Sequence, residues 1–175
     1  MIILEHELEG SILDIGGGGE GTIGRLYGTQ VIAIDNRQEE LDEVPGGFEK
    51  VLMDARSLDF PDEHFDHVTF FYSLMFMDAD THKQAVSEAA RVLKKGGYLH
   101  IWDAEIVSAY PDPFVVNLDI QLPTELVHTT FGIISNIKNQ TVESVGKLCI
   151  KCGMSLCELH SENGLFHLVF NKTGS

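Results

Sequence analysis

Along this 175-residue chain the spacing of apolar positions changes period several times, and each change marks an element. The runs "ILDI" (12–15), "QVIAI" (30–34), "FEKVLM" (48–53), the stretch from about Asp66 in "DEHFDHVTFFYS", and "YLHIWDAE" (98–105) have strand length and a β-branched or aromatic content. Between the last two, residues 80–94 place Ala85, Ala89, Val92 and Leu93 at helical spacing, and Gly96-Gly97 are expected to stop that helix. A short helix is expected after the glycines that follow Ile15. Strands alternating with helices predict an α/β fold, a mostly parallel doubly wound sheet with helices on both faces.

After residue 105 the pattern becomes two-residue alternation. "PFVVNLDIQLP" and "ELVHTTFGIIS", separated by Pro123-Thr124, predict an antiparallel hairpin inserted within 105–138. "TVESVGKLCIKCG" reads as a helix with Thr141 as N-cap and Gly153 at its end. "MSLCELHS" and "LFHLVFNK" flank Asn163-Gly164, a hairpin-turn dipeptide, and complete a seven-stranded sheet whose last strand is antiparallel. The length suits one domain over residues 1–175. The inserted hairpin carries more apolar surface than a lone hairpin buries. It is therefore expected to roof a binding site or to pair with a second copy in a homodimer, with simple extension of the sheet as the plain alternative.

Composition narrows the partners. There are 27 acids against 12 bases, a formal charge of −15, and such a field repels a phosphate backbone, so nucleic acid is an unfavourable partner. "MIIL" is followed at once by Glu5, Glu7 and Glu9 rather than preceded by a basic segment, and no apolar run reaches membrane length. With three cysteines and no secretory leader in view, a cytoplasmic setting and no membrane partner are expected.

The chemistry concentrates in "ILDIGGGGEGTIG" (12–24). A buried-type strand running into glycines and then a helix makes a cradle in which a ligand meets bare backbone. Gly16-x-Gly18-x-x-Gly21 matches the dinucleotide fingerprint, and Asp35 closes the next strand where an acid would bind a ribose. Asp14 two residues ahead also gives D-x-G-x-G, the pattern of S-adenosylmethionine (SAM) sites. The motif alone leaves both open.

The ordered set of motifs separates them. "ILDIGGGGEG", "VIAID", "MDARSLDFPDEHFDHVTFFYSLM", "AARVLKKGGYLHIWD" and the closing helix and hairpin together resemble class I SAM-dependent methyltransferases over essentially the whole chain. One departure is Glu20, where the family's D-x-G-x-G-x-G has its third glycine. A carboxylate there repels a diphosphate but suits SAM, a net cation, and this favours SAM over NAD on electrostatic grounds. The resemblance implies SAM as cofactor, with S-adenosylhomocysteine (SAH) as product. It implies that Gly16, Gly17, Gly18 and Gly19 face the methionine part, Asp14 orients that loop or meets the ammonium, and Asp35 with Asn36 takes the ribose. Asp54 and Ala55 would take the adenine, and Phe71 and Tyr72 would lie near the sulfonium and the acceptor. The function implied is in-line methyl transfer to a small molecule. A non-catalytic SAM-binding partner subunit and an NAD-dependent oxidoreductase stay as alternatives.

No residue stands out as a catalytic acid or base, and methyl transfer needs alignment more than proton transfer. "FFYSLMF" replaces the Asn/Asp-Pro-Pro-aromatic run of relatives that methylate amino groups of bases or glutamine, so that substrate class loses support. The eight histidines show no evident pair, and they read as surface or satisfied core residues. Cys149-x-x-Cys152, Cys157 and His160 contain zinc-ligand residue types, but the first two fall at packing spacing in a helix end, and no metal is expected.

Overall fold

The computed structural model describes residues 1–107, 110–135 and 139–174. The ends of the 105–138 segment at 108–109 and 136–138 therefore lie outside the described residues.

Twelve strands and four α-helices are present among the described residues. They are β1 (Ile2–Ile3), β2 (Ile12–Ile15), α1 (Thr22–Tyr27), β3 (Val31–Asp35), α2 (Gln38–Glu43), β4 (Glu49–Leu52), β5 (Phe65–Phe71) and α3 (Ala79–Val92). Then follow β6 (Leu93–Ala104), β7 (Ile106–Val107), β8 (Phe114–Gln121), β9 (Leu126–Ile133), β10 (Asn139–Gln140), α4 (Val142–Lys151), β11 (Met154–Glu162) and β12 (Leu165–Lys172). The main sheet has seven strands in the order β11-β12-β6-β5-β2-β3-β4. Every pairing from β6 to β4 is parallel, and β12 is antiparallel to both its neighbours.

Strand β2 is buried on both faces, which is why it reads as a continuous apolar run interrupted only by Asp14. One face carries Leu13, Val68, Phe70, Ile101 and Phe170 against α3 and α4. The other carries Ile12, Val31 and Ala33 against Ile23 and Leu26 of α1. Thr141 caps α4 in a reciprocal capping box with Ser144. Asn163 and Gly164 both have positive φ, 53° and 76°, as a two-residue type I′ turn requires.

Three sequence expectations change. Helix α3 ends at Val92, before Gly96-Gly97, because its last carbonyls are taken by tertiary donors. His64 N–H donates to Val92 O at 2.7 Å, Glu63 N–H to Arg91 O at 3.0 Å, and Lys172 Nζ to Leu93 O at 2.7 Å. Gly97 serves strand packing instead, since a Cβ on it would lie 2.7 Å from Asp66 O on the neighbouring strand, and Gly96 takes φ +78°. Helix α2 and the pairing of Ile2–Ile3 with β8 were not expected from the pattern.

The two alternating runs of the insertion pair antiparallel as β8 and β9, in a separate three-stranded sheet with β1 rather than as an extension of the main one. Their inward residues Val116, Leu118, Ile120 and Val127 are buried with Leu4, Met75 and Ile106. At about 1.5–3 kcal/mol for each fully buried aliphatic side chain, this packing holds the hairpin on the body. The apolar face that suggested a second copy is covered within one chain.

Candidate functional site

Strands β2, β3 and β5 end together at one edge of the sheet, and the loops leaving them and β4 enclose a cavity of about 700 Å³. Open α/β sheets place ligands outside the carboxyl ends of their strands, and a cavity of this size is in the range of cofactor sites. All eleven positions singled out from the sequence line it: Asp14, Gly16, Gly17, Gly18, Gly19, Asp35, Asn36, Asp54, Ala55, Phe71 and Tyr72.

The glycine loop is shaped by close approach. Gly16 and Gly17 donate to Ile34 O at 2.9 and 3.0 Å, which folds the loop over the end of β3. Gly16 has φ +75°, and a Cβ on it would sit 2.5 Å from Ser73 Cβ. A Cβ on Gly17 would meet Asp14 Oδ2 at 2.6 Å, and one on Gly18 would meet Asp35 Oδ2 at 2.8 Å. Side chains here would fill the cradle, so the bare backbone is a requirement of this geometry.

Asp14 is buried, and Thr69 Oγ1 donates to its Oδ1 at 2.7 Å. Burial pushes its carboxyl up to about 7, against the Thr69 hydrogen bond and with added repulsion from Asp35. Asp35 accepts from Arg37 N–H at 3.0 Å, a local turn that fixes its carboxylate at the strand end. Asp54 is more heavily engaged: Arg56 donates from Nη2 at 2.6 Å, from Nε at 3.0 Å and from its backbone N–H at 2.9 Å. The Arg56 guanidinium holds the Asp54 carboxyl below its usual range. Any other donor to Asp54 shares that carboxylate with Arg56.

Glu20, the departure from the glycine pattern, lines the cavity and is held from the hairpin side. Thr129 of β9 donates to Glu20 Oε1 at 2.9 Å, and Arg25 of α1 pairs with Glu125 at the start of the same hairpin arm. The hairpin is thus tied to the segment that forms the glycine loop.

Tyr72 has φ 50°, left-handed backbone that a bulky side chain rarely adopts. Its N–H donates to Trp102 O at 2.8 Å, and the adjacent Ser73 Oγ donates to Ile15 O at 2.7 Å. Burial, with the Asp103 charge, keeps the Tyr72 hydroxyl protonated well beyond its usual range. Sequence reasoning missed Arg56, Phe76 and Phe131 in the lining. Arg56 had a signal, two residues after Asp54; Phe131, 60 or so positions beyond the β5 loop, had none.

A family model described as a methyltransferase domain matches residues 13–101, just over half of the chain. The chain belongs to the SAM-dependent methyltransferase family. The match runs from β2 into β6, and SAM is this family's cofactor. Among curated proteins, the ubiquinone/menaquinone biosynthesis C-methyltransferase UbiE of Pseudomonas putida is 41% identical over 105 residues, covering 51% of this chain. The chain spans about 40% of that relative's length. Among solved structures, the PH0226 protein of Pyrococcus horikoshii matches with TM-score 0.71 at 19% identity, covering 95% of this chain and 84% of that one. A SAM-dependent methyltransferase of Mesorhizobium loti matches with TM-score 0.68 at 15% identity, covering 94% and 92%. These two show the methyltransferase fold. No described helix is long and apolar enough to cross a membrane.

The histidines are less independent than the sequence suggested. His67 Nδ1 and His100 Nε2 are 3.3 Å apart on β5 and β6, and His100, Trp102 and His167 stack across the same face. Burial lowers His100 to about 3 and His167 to about 4. Cys149 is buried in α4 and its thiol is pushed up by burial, whereas Cys157 is exposed. Among the described residues no group of three or more His, Cys, Asp or Glu converges on a metal position.

Proposed function

We propose that this chain binds SAM in the cavity at the carboxyl ends of β2–β5 and transfers its methyl group to a small-molecule acceptor. The carrying observation is that all eleven motif positions, spread over 59 positions of sequence from Asp14 to Tyr72, line one cavity. The residues fit the cofactor. The glycine backbone leaves room for the methionine part, and Asp35 offers a carboxylate for paired ribose hydroxyls. Asp54 and Ala55 would take the adenine, with Arg56 setting how firmly Asp54 is held. The acids Asp14, Glu40 and Asp35 suit a ligand that is a net cation. When bound, SAM would supply an electrophilic methyl group to the acceptor's lone pair, the carbon–sulfur electron pair staying with SAH and the acceptor's proton passing to solvent. The protein's part is alignment and exclusion of water, for which Phe71, Tyr72 and the hairpin stand at the cavity's other end.

Titration calorimetry of the intact chain tests this. SAH is expected to bind and NAD not to, and Asp35→Ala is expected to weaken SAH by about 1.5–3 kcal/mol while leaving the melting temperature nearly unchanged. NAD binding more tightly than SAH overturns the reading.

A further inference from the structure

Resting on the methyltransferase reading, the structure assigns the aromatic end of the cavity to an uncharged, planar ring-bearing acceptor, with Phe131 of the inserted hairpin and Phe76 as its specificity-determining residues. The cavity has two chemically distinct linings. Most of its carboxylates and its glycines belong to the segments 14–21, 35–40 and 54, with Asp78 the exception. The aromatic part of the wall is Phe71, Tyr72, Phe76 and Phe131, with Met77 beside them.

These rings form one connected set. Phe71 meets Tyr72 edge to face at 5.1 Å, Phe131 stacks on Tyr72 at 5.5 Å and 14°, and Phe76 meets Phe131 edge to face at 6.3 Å. Phe76 nevertheless remains 56% exposed. A large apolar ring left open beside a cavity, next to a tyrosine held at φ 50°, is surface kept for a ligand. Flat rings meeting edge to face and in offset stacks favour another flat ring over a flexible chain.

Charge narrows the acceptor further. The cavity lining carries Asp14, Glu20, Asp35, Glu40, Asp54 and Asp78 against Arg37 and Arg56, so an anionic acceptor is repelled. An acceptor carrying its positive charge on the attacking atom would stand beside the sulfonium and would lack the free lone pair that attack requires. A neutral nucleophile on a planar ring satisfies both limits. Phe131 is placed for this by the Glu20–Thr129 hydrogen bond two residues earlier on β9, whose odd-numbered positions from Val127 to Ile133 face inward while the even-numbered ones are exposed.

Fluorescence titration with naphthol, at saturating SAH and without SAH, tests the assignment; naphthoate and decahydronaphthol serve as the charged and non-planar comparisons. Naphthol is expected to bind saturably and without displacing SAH, and about tenfold or more tighter than either comparison. Phe131→Ala and Phe76→Leu are each expected to weaken naphthol about tenfold while SAH affinity by calorimetry stays at the parent value. Naphthol binding no tighter than decahydronaphthol, or unchanged in both variants, overturns the inference. Failure of SAH to bind, with naphthol binding intact, instead removes the cofactor reading.

Discussion

Asp14 shows how one buried carboxylate links the fold to the ligand. Its folded value of about 7 lies above the ordinary 3.8, so between these values the folded chain holds a proton that the unfolded chain has lost. Stability from this group is therefore full below pH about 4 and falls as pH rises, by about 1.4 kcal/mol per unit at most. Asp14→Asn mimics the protonated form. It is expected to raise the melting temperature of the ligand-free chain most at about pH 8, by clearly less at about pH 5, and hardly at all below about pH 4. A bound ammonium near Asp14 would favour the ionised form, so SAH binding is expected to release a proton near neutral pH. Calorimetry in buffers of different ionisation enthalpy reads that proton, and Asp14→Asn is expected to abolish its release.

Among the elements, the hairpin β8–β9 and helix α1 act as a unit. Gly24 sits against the Phe48 ring, where a Cβ would lie 2.3 Å from Phe48 Cζ, so α1 is pressed onto the loop before β4. On its other side α1 carries Arg25 to Glu125, and the preceding loop carries Glu20 to Thr129. The core residues of β8 hold the hairpin's base, but the outer part of β9 depends on these polar contacts. Glu20→Gln keeps a hydrogen-bonding group and is expected to change little. Glu20→Ala is expected to cost about 1 kcal/mol or less in global stability and to speed amide exchange in β9 selectively. Uniform exchange along the whole chain would show that the contact does not hold the hairpin.

For the molecule as a whole, the acid limit of stability is set on the histidine face of the sheet. His100 and His167, at about 3 and 4 in the folded chain, titrate near 6.5 when unfolded. The unfolded chain therefore binds more protons than the folded one as pH falls through 6.5, and stability is lost from there downward. Asp14 works in the opposite sense over part of that window, so the net slope between about pH 6 and 4.5 reflects two histidines against one aspartate. Asp66, held to about 2 by Lys94 and by Ser11, adds its loss only below pH about 4. Denaturant midpoints are expected to drop between pH 6.5 and 5, and a His100→Gln, His167→Gln double variant is expected to flatten that drop. A parent chain with equal midpoints at both pH values would contradict this account.

The sequence by itself determined the strand–glycine–helix start, the α/β alternation, the capped helix after Thr141 and the Asn163-Gly164 turn. These rest on local physics: residue periodicity, positive φ at glycine and asparagine, and hydrogen bonds spanning three residues. It also located the carboxylates Asp14, Asp35 and Asp54 of the cavity wall, because each lies at or within two residues of a strand's end and the ends of parallel strands gather at one edge. The exact end of α3, the turn of Glu20 toward Thr129, the pairing of His67 with His100 and the arrival of Phe131 beside Tyr72 were decided by tertiary structure alone. Each joins residues separated by 27 or more positions, and nothing in the local pattern of either segment specifies its partner. The packing of the hairpin onto the body brings Thr129 to Glu20 and Phe131 to Tyr72, whereas the α3 end and the His67–His100 contact come from β5, β6 and β12 lying side by side.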